Sequence, residues 1–120
     1  MGFLNKTPIM LTVYGIPNCD TIKKTLNWLK YNKIEYQFYD YKHQGISREK
    51  LENWLTQTDW TTLLNRAGTT FKNLSDEQKA AIQDTKTAIE FLLENTSAIK
   101  RPLIEQNGKI IKIGWKPEGI

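Results

Sequence analysis

Cys19, the single cysteine of a 120-residue chain, sits in the stretch YGIPNCDTIKK, Tyr14 to Lys24. A short apolar run precedes it, and a stretch that can be helical follows. The first turn of a helix carries backbone N–H groups with no intrahelical partner, and these, with the helix dipole, stabilise an anion. A thiol placed there ionises more readily than a free cysteine, whose pKa is ~8.5. Lys23, one turn on, adds positive field if it folds back, and Asn18 is a candidate side-chain donor to the sulfur. Asp20 suits a helix N-terminus but disfavours a second negative charge beside it. The alternative is a small buried hydrophobe, a common fate of free cysteines. The position and the Gly-Ile-Pro-Asn approach favour a reactive thiol. Two sharper motifs fail: a phosphatase-type loop needs Arg where Thr25 stands, and a Cys-x-x-Cys dithiol needs a second cysteine at Ile22. A redox cycle at Cys19 therefore requires a thiol from outside, for which glutathione is the abundant candidate. His43, the single histidine, is expected in a loop or at an edge, and no metal site is expected.

The elements that must position this thiol follow from periodicity. MLTVYGI is a run of β formers ending at Gly15 and Pro17, which predicts a strand and a turn. Ile22, Leu26 and Leu29 recur at i, i+4 and i+7, predicting a helix from Cys19 to about Asn32. Trp28 and Tyr31 lie off that stripe, so a second covered face is expected. EYQFYDY, Glu35 to Tyr41, reads as a second strand. Strand, helix and strand in this order predict a βαβ unit with parallel strands and a right-handed crossover. A helical middle follows, with Ser47 as a cap before Leu51, Trp54 and Leu55, and a capping box at Ser75 to Gln78. TAIEFLLEN places Ile89, Leu92 and Leu93 at helical spacing. Trp54 and Trp60 are expected to pack this block. PLIEQNGKIIKIG is two strand-like runs around Asn107-Gly108, a strong signal for a two-residue hairpin. The expected fold class is α/β: a mixed sheet of about four strands covered by helices.

Composition sets the outer limits. Apolar residues make up 39% and charged residues 25%, as in an ordinary globular domain. No apolar run approaches the roughly 20 residues of a membrane span, and the start lacks a secretory apolar stretch. The myristoylation pattern fails at Lys6. Residues 1–9 are taken as a tail before a single domain over 10–120. One cysteine permits no internal disulfide, which points to a reducing cytoplasm. The net charge of +4 suits an anionic substrate, yet the lysines are scattered among glutamates. No basic cluster interleaved with aromatics argues for nucleic acid, and no membrane partner is expected.

The stretch YGIPNCDTIKKTLNWL, with YDYKHQGISREKLENWL, LLNRAGTTFKNLS and IKRPLI, resembles the arsenate reductase (ArsC) family. Within it the likeness is to the YffB branch, proposed to be glutathione-dependent thiol reductases. The resemblance runs from about Leu11 to Lys116. It implies a thioredoxin-like fold with a helical insertion at about 46–96, Cys19 as redox nucleophile, and a cis bond at Arg101-Pro102. It also implies three arginines around the cysteine. Arg101 matches one; in LLNRAG the matching column holds Asn65, with Arg66 next to it; Lys116 replaces the third. Lysine keeps the charge but loses the bidentate grip on an oxyanion. The implied activity is a glutathione-dependent thiol oxidoreductase, with glutathione as co-substrate, no bound cofactor, and a small disulfide or oxyanion as substrate. Two alternatives accompany it: a non-catalytic Spx-like regulator that binds RNA polymerase, and a glutathione- and glutaredoxin-coupled arsenate reductase. The chain ends at Ile120, where relatives continue into a longer final helix.

Overall fold

The computed structural model describes residues 10–114. These residues form β1 (Leu11–Gly15), α1 (Asp20–Tyr31) and β2 (Tyr36–Asp40), then the helices α2 (Tyr41–Gln44), α3 (Arg48–Leu55), α4 (Trp60–Leu63), α5 (Thr69–Lys72), α6 (Asp76–Ala80) and α7 (Thr85–Glu94). A 3-10 turn at Thr96–Ala98 leads to β3 (Leu103–Gln106) and β4 (Lys109–Ile113). The sheet order is β2-β1-β3-β4. β1 runs parallel to β2 and antiparallel to β3, so the predicted βαβ unit and mixed sheet are present.

Side chains alternate across a strand, so each opposed pair belongs to one face. Val13 and Ile104 are opposed and join Leu11 and Leu29 in a core under α1. Tyr14 and Leu103, the next pair, face the other way, into the larger core with Tyr41, Leu51, Trp54, Leu63, Leu92 and Ile99. The helical middle covers that second face. Ser47 caps α3 by accepting from the Lys50 N–H, and Ser75 and Gln78 form the expected capping box. Asn107 and Gly108 adopt positive φ (52° and 81°), the conformation a two-residue hairpin requires. Among the described residues, no helix is long and apolar enough to cross a membrane.

Three expectations change. The second strand stops at Asp40, because the Asp40 carboxylate accepts from the Lys42 and His43 N–H groups and starts α2 at Tyr41. His43 lies in that short helix, not in a loop, with its exposed ring paired to Asp40. The outer face of α1 is not covered throughout: Trp28 packs on the smaller core, but Tyr31 is 86% exposed.

A polar knot fastens α3 to the sheet. Glu105, only 4% exposed, accepts from the Tyr14 hydroxyl (3.0 Å), the Trp54 indole N–H (2.6 Å) and the Lys50 ammonium (3.1 Å). Trp54 also meets the Tyr14 ring edge-on, with centroids 4.9 Å apart. Burial, and then the Glu105 carboxylate, push the Tyr14 phenol well above its ordinary pKa, so it remains a donor. Removing this carboxylate strands three donors, two of them fully within the core. Glu105→Ala is expected to destabilise the protein by ~3 kcal/mol, and Glu105→Gln by less, in chemical denaturation.

A second constraint is at Gly15 of β1, over which the Ile22 side chain of α1 packs. A Cβ built there would lie 2.3 Å from Ile22 Cδ1 and 2.8 Å from Ile22 Cγ1. Gly15→Ala is therefore expected to lower stability by ~1–3 kcal/mol through overpacking, and Gly15→Ala combined with Ile22→Val should recover part of that loss.

Candidate functional site

The parallel strands β1 and β2 end in register, Gly15 opposite Asp40. Ligand sites in α/β sheets gather beyond such carboxyl ends. From β1 the chain passes through Ile16, Pro17 and Asn18 to Cys19, which is the N-cap residue of α1, with φ −138° and ψ 124°. Its carbonyl accepts the first helical bond, from the Lys23 N–H at 3.0 Å. The thiol occupies the position of a capping oxygen but makes no cap hydrogen bond of ordinary length. A neutral thiol is a weak acceptor, whereas a thiolate there draws on the same N–H groups fully. Cys19 is half-buried. Burial by itself would raise its pKa. The Ile22 N–H, the Arg101 guanidinium and the Thr21 N–H outweigh that, and the thiol titrates below its ordinary value.

Arg101, whose charge acts on this sulfur, stands on a clamped backbone. The Leu64–Ile99 bridge, Asn65 N–H to the Ala98 carbonyl (2.7 Å) and Lys100 N–H to the Leu63 carbonyl (2.8 Å) tie the segment before Arg101 to the end of α4. The hydroxyls of Thr70 in α5 and Ser97 lie 2.8 Å apart. The Arg101 Nη1 donates to the carbonyls of Ser97 (2.7 Å) and Ile99 (3.4 Å). Its Nε is buried and has no acceptor among the described residues, so the guanidinium keeps donor capacity in reserve. The Arg101-Pro102 bond is cis, as the resemblance implies, and the buried Pro102 leads directly into β3.

The other expected site residues are less closely gathered. Asn18, Asp20 and Lys23 are exposed on the approach to α1 and its first turn. Among the described residues, the cation acting on the sulfur is Arg101. Arg66 is exposed, with its guanidinium 5.7 Å from the centre of the Trp60 ring, where it covers an aromatic face. Lys116 lies outside the described residues. Sequence reading missed Tyr41. Its fully buried hydroxyl donates to the Ile99 carbonyl at 2.9 Å. Burial raises its pKa, Arg101 lowers it and the Cys19 charge raises it, leaving it pushed up to about 12. The signal available was a fourth aromatic in EYQFYDY, indistinguishable there from strand patterning. Among the described residues, no cluster of His, Cys, Asp and Glu is arranged to hold a metal ion.

A half-buried thiol at a helix N-terminus, with an arginine from a segment entering through a cis proline, is set in a mixed four-stranded sheet. The model of the ArsC family matches residues 14–120, and the chain belongs to that family. The solved structure of the YffB (PA3664) protein is 48% identical, covers 89% of this chain and 92% of its own, and superposes with a TM-score of 0.82. An arsenate reductase (ArsC) related protein from Brucella melitensis is 42% identical, with coverage of 94% and 92% and a TM-score of 0.78. The regulatory protein MgsR of Bacillus subtilis is 30% identical over 89% of this chain and 84% of its own. The fold is thus the arsenate-reductase-like, thioredoxin-like α/β fold.

Because the thiolate is the reacting form, alkylation of Cys19 should slow as pH falls through its lowered pKa. The midpoint of iodoacetamide alkylation against pH is expected below that of a free cysteine. Arg101→Ala should move it upward and slow alkylation at neutral pH, whereas Arg66→Ala should leave it unchanged.

Proposed function

We propose that the protein is a thiol oxidoreductase that uses Cys19 as its single nucleophile and glutathione as co-substrate. The observation that carries this reading is the Arg101 guanidinium beside a thiol at the N-terminus of α1, which together lower the pKa of Cys19. The Cys19 thiolate attacks the glutathione sulfur of a mixed disulfide R–S–S–G. The S–S bond of that disulfide breaks, RS⁻ leaves as a thiolate that takes up a proton, and Cys19 becomes linked to glutathione. A second glutathione thiolate then attacks this linkage, releasing oxidised glutathione and restoring Cys19. The sum is R–S–S–G plus GSH giving RSH plus GSSG. In the second step the departing sulfur is Cys19 itself, whose negative charge the Ile22 and Thr21 N–H groups and Arg101 stabilise. A free thiol that must return to the reduced form suits a reducing cytoplasm.

Arsenate is the less favoured electrophile. Of the cations expected around the sulfur, Arg101 stands beside it, but Arg66 lies on Trp60 and Asn65 holds the matching column. Glutaredoxin would be the partner of that chemistry. The likeness to regulatory protein MgsR supports a second reading, a non-catalytic regulatory module, for which RNA polymerase would be the partner.

Incubation with oxidised glutathione is expected to give one glutathione adduct per chain, located at Cys19 by peptide mapping. Reduced glutathione should remove it. A native Cys19 that remains unmodified, in a protein that captures RNA polymerase subunits, would overturn the enzymatic reading in favour of the second.

A further inference from the structure

The thiolate site as described leaves one feature unused: a fully buried hydroxyl that shares an acceptor with the arginine. Tyr41 donates to the Ile99 carbonyl at 2.9 Å, while Arg101 Nη1 reaches the same oxygen at 3.4 Å and the Ser97 carbonyl at 2.7 Å. A carbonyl oxygen offers two lone pairs, and the shorter contact takes the better share. We propose that Tyr41 is a positioning residue for Arg101: by occupying the Ile99 carbonyl, its hydroxyl keeps the guanidinium from settling onto that carbonyl and holds it toward the Cys19 sulfur. The proposal rests on the reading of Cys19 as a working thiolate.

The position of Tyr41 fits this role. It follows Asp40, the last residue of β2, which lies opposite Gly15 at the end of β1. The phenol therefore rises from the same edge of the sheet that delivers Cys19, and it crosses to a carbonyl 58 residues further along the chain. Ile99 is itself fully buried. Without the Tyr41 hydroxyl its carbonyl would be left short of a donor in a dry setting, and the nearest mobile donor is the Arg101 guanidinium. With its pKa pushed up to about 12, the phenol stays protonated, and so remains a donor, throughout the range in which Cys19 titrates. A purely structural staple between α2 and the Arg101 segment would use the same hydrogen bond, so the test must read the sulfur.

The experiment is the pH profile of iodoacetamide alkylation at Cys19 in wild type, Tyr41→Phe, Arg101→Ala and the double variant, with thermal unfolding measured alongside. The expected result is an upward shift of the midpoint in Tyr41→Phe, and no further shift when Tyr41→Phe is added to Arg101→Ala. An unchanged midpoint in Tyr41→Phe, even with a lower Tm, would reduce Tyr41 to a structural staple. An equal shift in both backgrounds would show that it acts on the sulfur without Arg101. Should Tyr41→Phe fail to fold, the Tyr41 ring carbon bearing the hydroxyl is followed by NMR in the wild type as Cys19 titrates. Its shift is expected to move with the alkylation midpoint, and a flat response would overturn the proposal. Alkylation needs no glutathione, so these outcomes are separable from failure of glutathione adduct formation.

Discussion

A sulfur anion half withdrawn from water must be met by positive ends of dipoles or by a cation, and most of this chain is arranged around that requirement. The dipoles come cheaply. A strand that ends at Gly15 and a helix that begins after Cys19 bring free N–H groups to the thiol, because helix starts always leave such groups unpaired. The cation is harder to supply. Arg101 arrives from the far end of the chain, on a segment that belongs to neither strand nor helix, and a flexible arginine has many places to go.

The helical middle answers that problem. The end of α4 makes a miniature ladder with the residues before Arg101, through Leu63, Leu64 and Asn65, while Thr70 of α5 meets Ser97. With the backbone held, the Ser97 carbonyl takes the short bond from the guanidinium, and the Ile99 carbonyl only a long one. The block must in turn be fixed to the sheet. Part of that anchoring is apolar burial on the face of Tyr14 and Leu103; the directional part is the Glu105 carboxylate, which accepts from β1 and α3 at once. Burying a carboxylate is seldom a net gain in stability, but its three donors admit one orientation of α3 against the strands. Whether Arg101 meets Cys19 thus depends on contacts far from either.

The parts of this arrangement readable in the sequence are those encoded within a few residues. The β1 run, the α1 stripe, the Ser47 and Ser75 caps and the Asn107-Gly108 turn each carry their own local physics, and all form as the patterns predict. The placement of Cys19 was readable for the same reason, since its surroundings are the start of its own helix. Arg101 was reached through resemblance alone: nothing in the spacing of IKRP says which sulfur it will face. Glu105 and Tyr41 went unnoticed because their partners are distant. Glu105 sits in PLIEQNG like any polar strand residue, yet it pairs with groups 51, 55 and 91 positions away. Tyr41 continues an aromatic alternation, and only the Asp40 side chain, turning back onto two N–H groups, ends the strand before it.

The same geometry serves a catalyst and a regulator equally well up to one point. A thiolate stabilised by N–H groups and an arginine is reactive in either, and relatives of this chain include both an arsenate reductase related protein and a regulatory protein. What separates the outcomes is the fate of the oxidised sulfur. With one cysteine in 120 residues, a disulfide formed at Cys19 must join it to another molecule. A small partner such as glutathione can be displaced by a second copy of itself, which makes a cycle. A large partner would instead turn the bond into a covalent attachment. Access to the half-buried sulfur therefore decides between them.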